Sequence, residues 1–316
     1  MSKLSFVIPC YNSEKTIADV VNSIKTTVAS DENFSYEIIL VNDFSRDGTS
    51  LVIEQLAQSD ENIIAINFAK NFGQHAALMA GFRHSSGDIV IYLDDDGQCP
   101  AEKIFDLIAP LSNGFDVSIA DYGKKKQSCF KNFGSKVNDI MAEHLIGKPK
   151  RLSLSNFGAI KRFVVDEMIK YQNCYPYIAG LLLRTTSNIA NVKMEENERQ
   201  EGKSNYNLKK LLSLWLNGFT SFSVKPLRIT SIAGVIFACV GFIFGLYTVI
   251  NKLFVTPDVA IGYSSIVSLL TFFSGLTLMV LGMIGEYVGR IFINLNNAPQ
   301  YVVKSVVSTK NASDKC

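Results

Sequence analysis

Three consecutive carboxylates, Asp94-Asp95-Asp96, follow the apolar run Ile89-Val90-Ile91-Tyr92-Leu93. The run reads as a buried β-strand. On extended backbone the side chains at i and i+2 point the same way. Asp94 and Asp96 can therefore converge on one hard cation, which prefers oxygen ligands. Magnesium or manganese held by so few protein carboxylates needs phosphate oxygens to complete its shell. Taken alone, the triplet reads equally well as a solvated acidic turn.

The surrounding elements weigh against the bland reading. Leu4 to Cys10, Glu37 to Asn42, Ile63 to Asn67 and Ile89 to Leu93 read as strands. Glu14 to Val28, Thr49 to Gln58 and Gln74 to Ser85 read as the amphipathic helices between them. This alternation implies an α/β domain with parallel strands and helices on both faces. In such sheets ligands bind beyond the carboxyl ends of the strands. Polar clusters fall at those ends: Pro9-Cys10-Tyr11-Asn12, Asn42-Asp43-Phe44-Ser45 and Asp94 to Gln98. Neither G-x-G-x-x-G nor G-x-x-x-x-G-K-[ST] occurs, which disfavours a dinucleotide fold or a P-loop NTPase.

The strings VIPCYN, VNDFSRDGT, NFGQHAALMAG and LDDDGQ, in this order over residues 4 to 98, resemble the family-2 glycosyltransferases of the GT-A type. The later EGKSNY and NGFTSFSVKPLR segments are similar to the polyprenyl-phosphate branch. That branch includes dolichol-phosphate mannose synthases and bacterial undecaprenyl-phosphate glycosyltransferases. The resemblance extends over about residues 4 to 290. It implies a Rossmann-like, mixed but mostly parallel sheet, followed by an interfacial helix and two transmembrane helices. It implies inverting, metal-dependent transfer of a sugar from a nucleotide-sugar, with a UDP-sugar favoured, to polyprenyl phosphate.

By the same resemblance, Pro9, Tyr11, Glu14 and Asp43 contact the base and ribose of the nucleotide. Asp94 lies near the ribose or the metal, with Asp95 beside it in the donor site. Asp96 corresponds to the metal-binding Asp of D-x-D, and Gln98 lies near the sugar. Arg199, Lys203 and Ser204 hold phosphate on a closing loop; Arg grips phosphate bidentately and Lys adds a point charge. A solvated charged loop is the alternative for that stretch. Asn71-Phe72-Gly73-Gln74 shapes a wall near the acceptor, with Phe72 expected in the core.

Some positions depart from the pattern. The branch often has G-D-F-R, with its Asp proposed as general base; here the string is Ser155-Asn156-Phe157-Gly158. Asn156 cannot take a proton at neutral pH, so it is expected to orient the acceptor. S-K-Y appears as Ser204-Asn205-Tyr206, with Lys203 adjacent. Cys99 stands where an Asp is usual, and Asp121 or Tyr122 where an Arg is common; the run Lys124-Lys125-Lys126 lies close by. A phosphate monoester is largely dianionic at pH 7, so the acceptor needs little deprotonation. Glu201 or Asp121 is the alternative base. A GT-A enzyme with another acceptor, and a catalytically degenerate membrane scaffold, are the competing functions. The Q-x-x-R-W motif of processive synthases is absent, and a scaffold has no reason to cluster unpaired carboxylates.

Composition fits a membrane enzyme. The 316 residues are 47% hydrophobic, with positive mean hydropathy. Net charge is only +2, so no global basic field points to nucleic acid. The six cysteines show no metal or disulfide spacing, which suits a reducing cytosol. The first strand begins almost at once, so no cleavable signal peptide is expected. Ile229 to Ile250 and Val259 to Gly285 carry no charged residue, and about 20 apolar residues suffice for a helical span. Lys209, Lys210, Lys225 and Arg228 before the first span, and Arg290 and Lys304 after the second, place both flanks in the cytoplasm. The expected setting is the inner membrane, multi-pass, with the catalytic domain and both termini cytoplasmic. Leu208, Leu211, Leu212, Trp215 and Phe219 recur at helical spacing, which suits a helix in the membrane interface or one packed on the catalytic domain. The expected domains are residues 1–205 (catalytic), 206–228 (interfacial), 229–290 (membrane hairpin) and 291–316 (a tail, disordered after Lys304). Glycines in the spans permit close packing, within the hairpin or in a homo-oligomer.

Overall fold

A computed structural model describes residues 2–123, 148–150, 152–197, 263–296 and 298–309. It also describes Ile232, Gly234, Ile236, Cys239, Ile243, Ile250 and Phe254, all of them helical. Lys124 to Lys126, the phosphate-loop candidates Arg199, Lys203 and Ser204, the alternative base Glu201, the interfacial segment 206–228 and most of the first span lie outside the described residues. The chain forms two compact units, residues 1–207 with 297–316, and residues 208–296.

In the first unit, strands β1 (Ser2–Cys10), β2 (Phe34–Asn42), β3 (Ile63–Phe68) and β4 (Ile89–Tyr92) run parallel. The sheet is completed by β5 (Val117–Asp121), β6 (Gly158–Lys161), β7 (Ile189–Lys193) and β8 (Val303–Val307). The order is β7-β5-β6-β4-β1-β2-β3-β8. β6 is antiparallel to both β4 and β5, and β8 is antiparallel to β3, so the sheet is mixed and mostly parallel.

Alternation along β1 sorts the two faces. Leu4, Phe6, Ile8 and Cys10 join one core with helices α1 (Ile17–Val28), α2 (Thr49–Ser59) and α4 (Ile104–Ser112). α1 buries Ile17, Val20, Val21, Ile24 and Val28, a stripe at 3.6-residue spacing. Val7, on the opposite face, meets α3 (Gln74–His84). Contact there is so close that a Cβ on Gly81 would lie 2.2 Å from Val7 Cγ1. Gly81→Ala is therefore expected to destabilise the fold by about 1–3 kcal/mol through overpacking. A thermal melt of the variant in detergent checks it; an unchanged midpoint would contradict the packing. Short helices α5 (Arg162–Met168) and α6 (Ile178–Thr185) follow β6.

Two expectations are corrected. The first helix begins at Ile17, three residues after Glu14, because Ser13 to Thr16 form a turn in which Ile17 N donates to Ser13 O at 3.0 Å. The tail is ordered past Lys304: Ser305, Val306 and Val307 pair with Asn67, Ile66 and Ala65 as an edge strand.

In the second unit, α7 (Tyr263–Leu295) is 33 residues long, about 50 Å at 1.5 Å per residue. Its stretch Phe272–Ile293 is long and apolar enough to cross a bilayer. The helix continues beyond Gly285, the expected end of the second span, through Glu286 and Arg290. Leu270, Leu278, Met279, Phe292 and Leu295 are each at least 60% exposed, as lipid-facing side chains are.

Candidate active site

Four loops meet at the carboxyl edge of the parallel strands, and hydrogen bonds between them define the site. The acidic triplet lies in a bend just past β4, closed by Gly97 at φ 75. Its three carboxylates have different tasks. Asp95 Oδ2 accepts from Tyr11 N at 2.9 Å, and its carbonyl accepts from Thr16 Oγ1 at 2.7 Å. It thereby braces the loop after β1. Asp96 Oδ1 accepts from Gln98 N at 3.1 Å. Asp94 is gripped from both sides: Gln74 Nε2 donates to Oδ1 at 2.7 Å and Asn156 Nδ2 to Oδ2 at 3.0 Å.

Electrostatics follow from this crowding. Burial, aided by the neighbouring charges of Asp96 and Asp95, pushes the Asp94 carboxyl up to about 7, against the pull of the Asn156 and Gln74 amides. Burial also raises Asp95. An acidic cluster whose members resist ionisation in an enclosed place is relieved by a cation, and carboxylate oxygens suit a hard one. Among the described residues, no group of three or more His, Cys, Asp or Glu side chains forms a metal cage. The donor set at Asp94 and Asp96 thus fits Mg2+ or Mn2+ only when ligand oxygens finish the shell.

The loop after β2 carries Asp43, 3% exposed. Its carboxylate accepts from Phe72 N at 2.7 Å and Gly73 N at 2.8 Å, at the N-terminus of α3. Burial raises its carboxyl to about 6, with those two N–H groups pulling the other way. Glu14 Oε2 accepts from Gly48 N at 2.9 Å, and a Cβ on Gly48 would strike that carboxylate at 2.6 Å. Asn12 N donates to Ser45 Oγ at 3.0 Å, and Asn12 Oδ1 accepts from Arg46 N at 3.0 Å. Asn12 and Phe44 hold φ of 56 and 59. Asn tolerates that left-handed region; for Phe it is strain, which gathers at functional sites. Tyr11 and Phe44 stand 46% and 47% exposed beside these turns, with planar rings available to a ligand.

The structure thus brings Tyr11, Glu14, Asp43, Asp94, Asp95, Asp96, Gln98 and Asn156 to one strand edge, with Pro9 the penultimate residue of β1. Asn156 is directed at Asp94. Phe72 is half-buried, set edge-on to Phe68 with Lys70 Nζ 4.9 Å above its ring. Its backbone N–H is what serves the site. Sequence reasoning placed Gln74 only in a wall, and gave no individual role to Thr16, Ser45, Asp47 and Thr49. Asp47 Oδ2 accepts from Glu14 N at 3.2 Å, and Thr49 Oγ1 from Ser13 N at 2.8 Å. The run Ser-x-Asp-Gly-Thr, a turn signature, was the available signal for Ser45, Asp47 and Thr49. Cys99 is buried beside the triplet, and burial pushes its thiol up to about 12, so it stays protonated.

The model of glycosyl transferase family 2 matches residues 5–168, and that of the GtrB C-terminal hairpin matches residues 225–291. The second match associates the chain with the membrane. The undecaprenyl-phosphate 4-deoxy-4-formamido-L-arabinose transferase of Proteus mirabilis is 31% identical, over 98% of this chain and 95% of its own. An uncharacterized glycosyltransferase of Bacillus subtilis, YkcC, is 30% identical over 97% and 95%. Among solved structures, glucosyl-3-phosphoglycerate synthase of Mycobacterium tuberculosis, in complex with Mn2+ and UDP-glucose, superposes with TM-score 0.51 at 20% identity, covering 67% of this chain and 75% of its own. That likeness concerns the fold alone.

Proposed function

The chain belongs to glycosyl transferase family 2, and on that premise we propose that it transfers a sugar from a nucleotide-sugar to undecaprenyl phosphate. In this reading the donor is a UDP-sugar and the reaction inverts the anomeric centre. It runs at the cytoplasmic face of the inner membrane, with both termini cytoplasmic, and supplies lipid-linked sugar for cell-surface glycan modification. The observation that carries the reading is the convergence on Asp94: amides from α3 and from the loop before β6 hold one carboxylate of a triplet whose next member braces the loop after β1. The full-length similarity to an undecaprenyl-phosphate transferase supports the acceptor.

Pro9, Tyr11, Glu14 and Asp43 bind the base and ribose in this account, while Gln98 lies beside the sugar. Asp94 and Asp96 hold Mg2+ or Mn2+, which when bound neutralises charge on the leaving diphosphate. Arg199, Lys203 and Ser204 grip phosphate. Asn156 and Gln74 keep the Asp94 carboxylate in place. The acceptor's phosphate dianion attacks directly, so positioning and leaving-group stabilisation supply most of the acceleration. Titrating the protein with UDP or GDP by calorimetry, with and without Mn2+, tests the donor site. Metal-dependent UDP binding that Asp96→Ala removes is expected; GDP preference would overturn the nucleotide, and no binding the site.

Asp43 gives that site a pH dependence. Its carboxyl, held up at about 6 by burial, must ionise to accept from the nucleotide as well as from Phe72 and Gly73. Donor affinity should therefore fall as pH drops through about 6, and Asp43→Asn should flatten the profile while weakening binding. Stability of the unliganded protein moves the other way. The folded carboxyl keeps its proton up to about 6, whereas the unfolded one loses it near 3.8. Between these values the folded state binds more protons, so this group's contribution declines as pH rises. Donor binding and thermal melts across pH 5 to 8 check both signs.

A further inference from the structure

The chain leaves α7 at Leu295, and by Ala298 it is part of the first unit again. Ala298 O accepts from Cys174 Sγ at 3.0 Å. The apolar stretch ends at Ile293, and a membrane-crossing stretch ends at headgroup level. Two helical residues and three further backbone steps span at most about 14 Å. Ala298, which the loop 169–177 holds through Cys174, is thus tethered by chain length alone to the end of the apolar stretch.

The loop's composition suits such a place. Lys170-Tyr171-Gln172-Asn173-Cys174-Tyr175-Pro176-Tyr177 holds three tyrosines and a lysine in eight residues, and amphipathic aromatics favour the membrane–water interface. Tyr175 is 47% exposed. The loop is firmly built from its inner side. Arg83 Nη2 donates to Ile169 O at 3.3 Å and to Tyr171 O at 3.1 Å. Gln300, 5% exposed, donates to Asn173 O at 2.9 Å. Tyr301 locks this frame by accepting from Arg83 Nη1 at 3.1 Å and stacking on Phe68 at 5.2 Å. At the other end Tyr177 stands edge-on to His75, 5.3 Å between centroids. His75 adjoins Gln74, which grips Asp94.

We infer that the loop 169–177 is a membrane-contact surface of the catalytic unit. Tyr175 seats in the lipid headgroup layer, and the loop forms the edge over which a lipid-borne phosphate acceptor reaches the site at Asp94. The contact stands on chain geometry and loop chemistry; only the acceptor's route rests on the proposed transfer.

The test uses the full chain in phosphatidylethanolamine–phosphatidylglycerol vesicles. Trp215 is the single tryptophan, so Trp215→Phe supplies a silent background for Tyr175→Trp. Lipids brominated near the headgroup should quench its emission about twofold, as for an aromatic at that depth. Leu51→Trp, at an exposed position of α2 on the other face of the sheet, should be unaffected. An unquenched Trp at 175, or equal quenching at both positions, overturns the contact. For the route, Tyr175→Asp should raise KM for undecaprenyl phosphate in vesicles about fivefold or more. It should leave KM for the donor and for a water-soluble short-chain polyprenyl phosphate unchanged. An equal rise for both acceptors overturns the route and marks the loop as structural. A wild type that makes no sugar-lipid at all fails the transfer reading, and the quenching result still decides the contact.

Discussion

Asp96→Ala should lower kcat for sugar transfer about 10³-fold, the largest effect expected of any single change here. The reason is that the proposed site would offer the cation only two protein ligands. Among the described residues, no group of three or more His, Cys, Asp or Glu side chains could hold a metal ion, and the neighbouring Asp95 carboxylate is turned to Tyr11 N. Removing the Asp96 carboxylate would leave Asp94 as the one proposed protein ligand. Asp94 is already engaged by Gln74 and Asn156 on separate oxygens, so it cannot swing to compensate. The leaving diphosphate then departs with its charge unneutralised. Transfer assays with saturating donor and acceptor, at rising Mn2+ or Mg2+, check this. A variant restored to the wild-type rate by excess metal would show Asp96 to be a binding aid alone. A variant equal to wild type at all metal concentrations would remove it from the site.

Asn156→Ala is the second large effect, and it separates two roles for that residue. The sequence suggested an amide that orients the acceptor. In the structure it donates to Asp94, with Nδ2 at 3.0 Å from Oδ2. A hydrogen bond to a charged group contributes about 1.5–3 kcal/mol, or about 10- to 150-fold in rate where the transition state relies on it. The sign of the accompanying pH effect is fixed. The amide favours the ionised form of a carboxyl that burial holds at about 7, so its loss drives that carboxyl higher. The acid limb of the kcat/KM profile should move to higher pH in Asn156→Ala, and likewise in Gln74→Ala. If only the acceptor KM rises and the acid limb stays put, Asn156 acts on the acceptor and not through Asp94.

The parallel half of the fold was legible because each β-α unit is local. Apolar runs of five to seven residues alternate with amphipathic helices, and loop polarity marks the ligand edge. Boundaries failed where side chains capture backbone. Glu14 was assigned to α1, yet it turns away to Gly48, a contact 34 residues distant in sequence. β8 failed for a similar reason. Its side chains alternate between half-buried and exposed, and its partner β3 lies some 238 residues earlier. Nothing within Val303–Val307 announces a strand until that edge is supplied.

Site residues divided along the same line. The triplet and Asp43 were legible because clustered carboxylates at strand ends have few structural uses. Individual tasks within the triplet were not. Asp95 braces Tyr11 because the chain bends after β4 and breaks the simple i, i+2 alternation, which sequence spacing alone cannot convey. Gln74 was undervalued because an amide at a helix start is ordinary until the carboxylate it meets, 20 residues on, is known.

The most direct measurement incubates purified protein in detergent with undecaprenyl phosphate, Mn2+ or Mg2+, and a panel of UDP- and GDP-sugars, following lipid-linked sugar by mass spectrometry. A sugar-phosphate lipid formed from a UDP-sugar by the parent, absent with chelator and absent in Asp96→Ala, is the predicted result. No product from any donor, in a protein that binds UDP with metal, would contradict undecaprenyl phosphate as the acceptor. No product and no nucleotide binding would contradict catalysis at this site altogether.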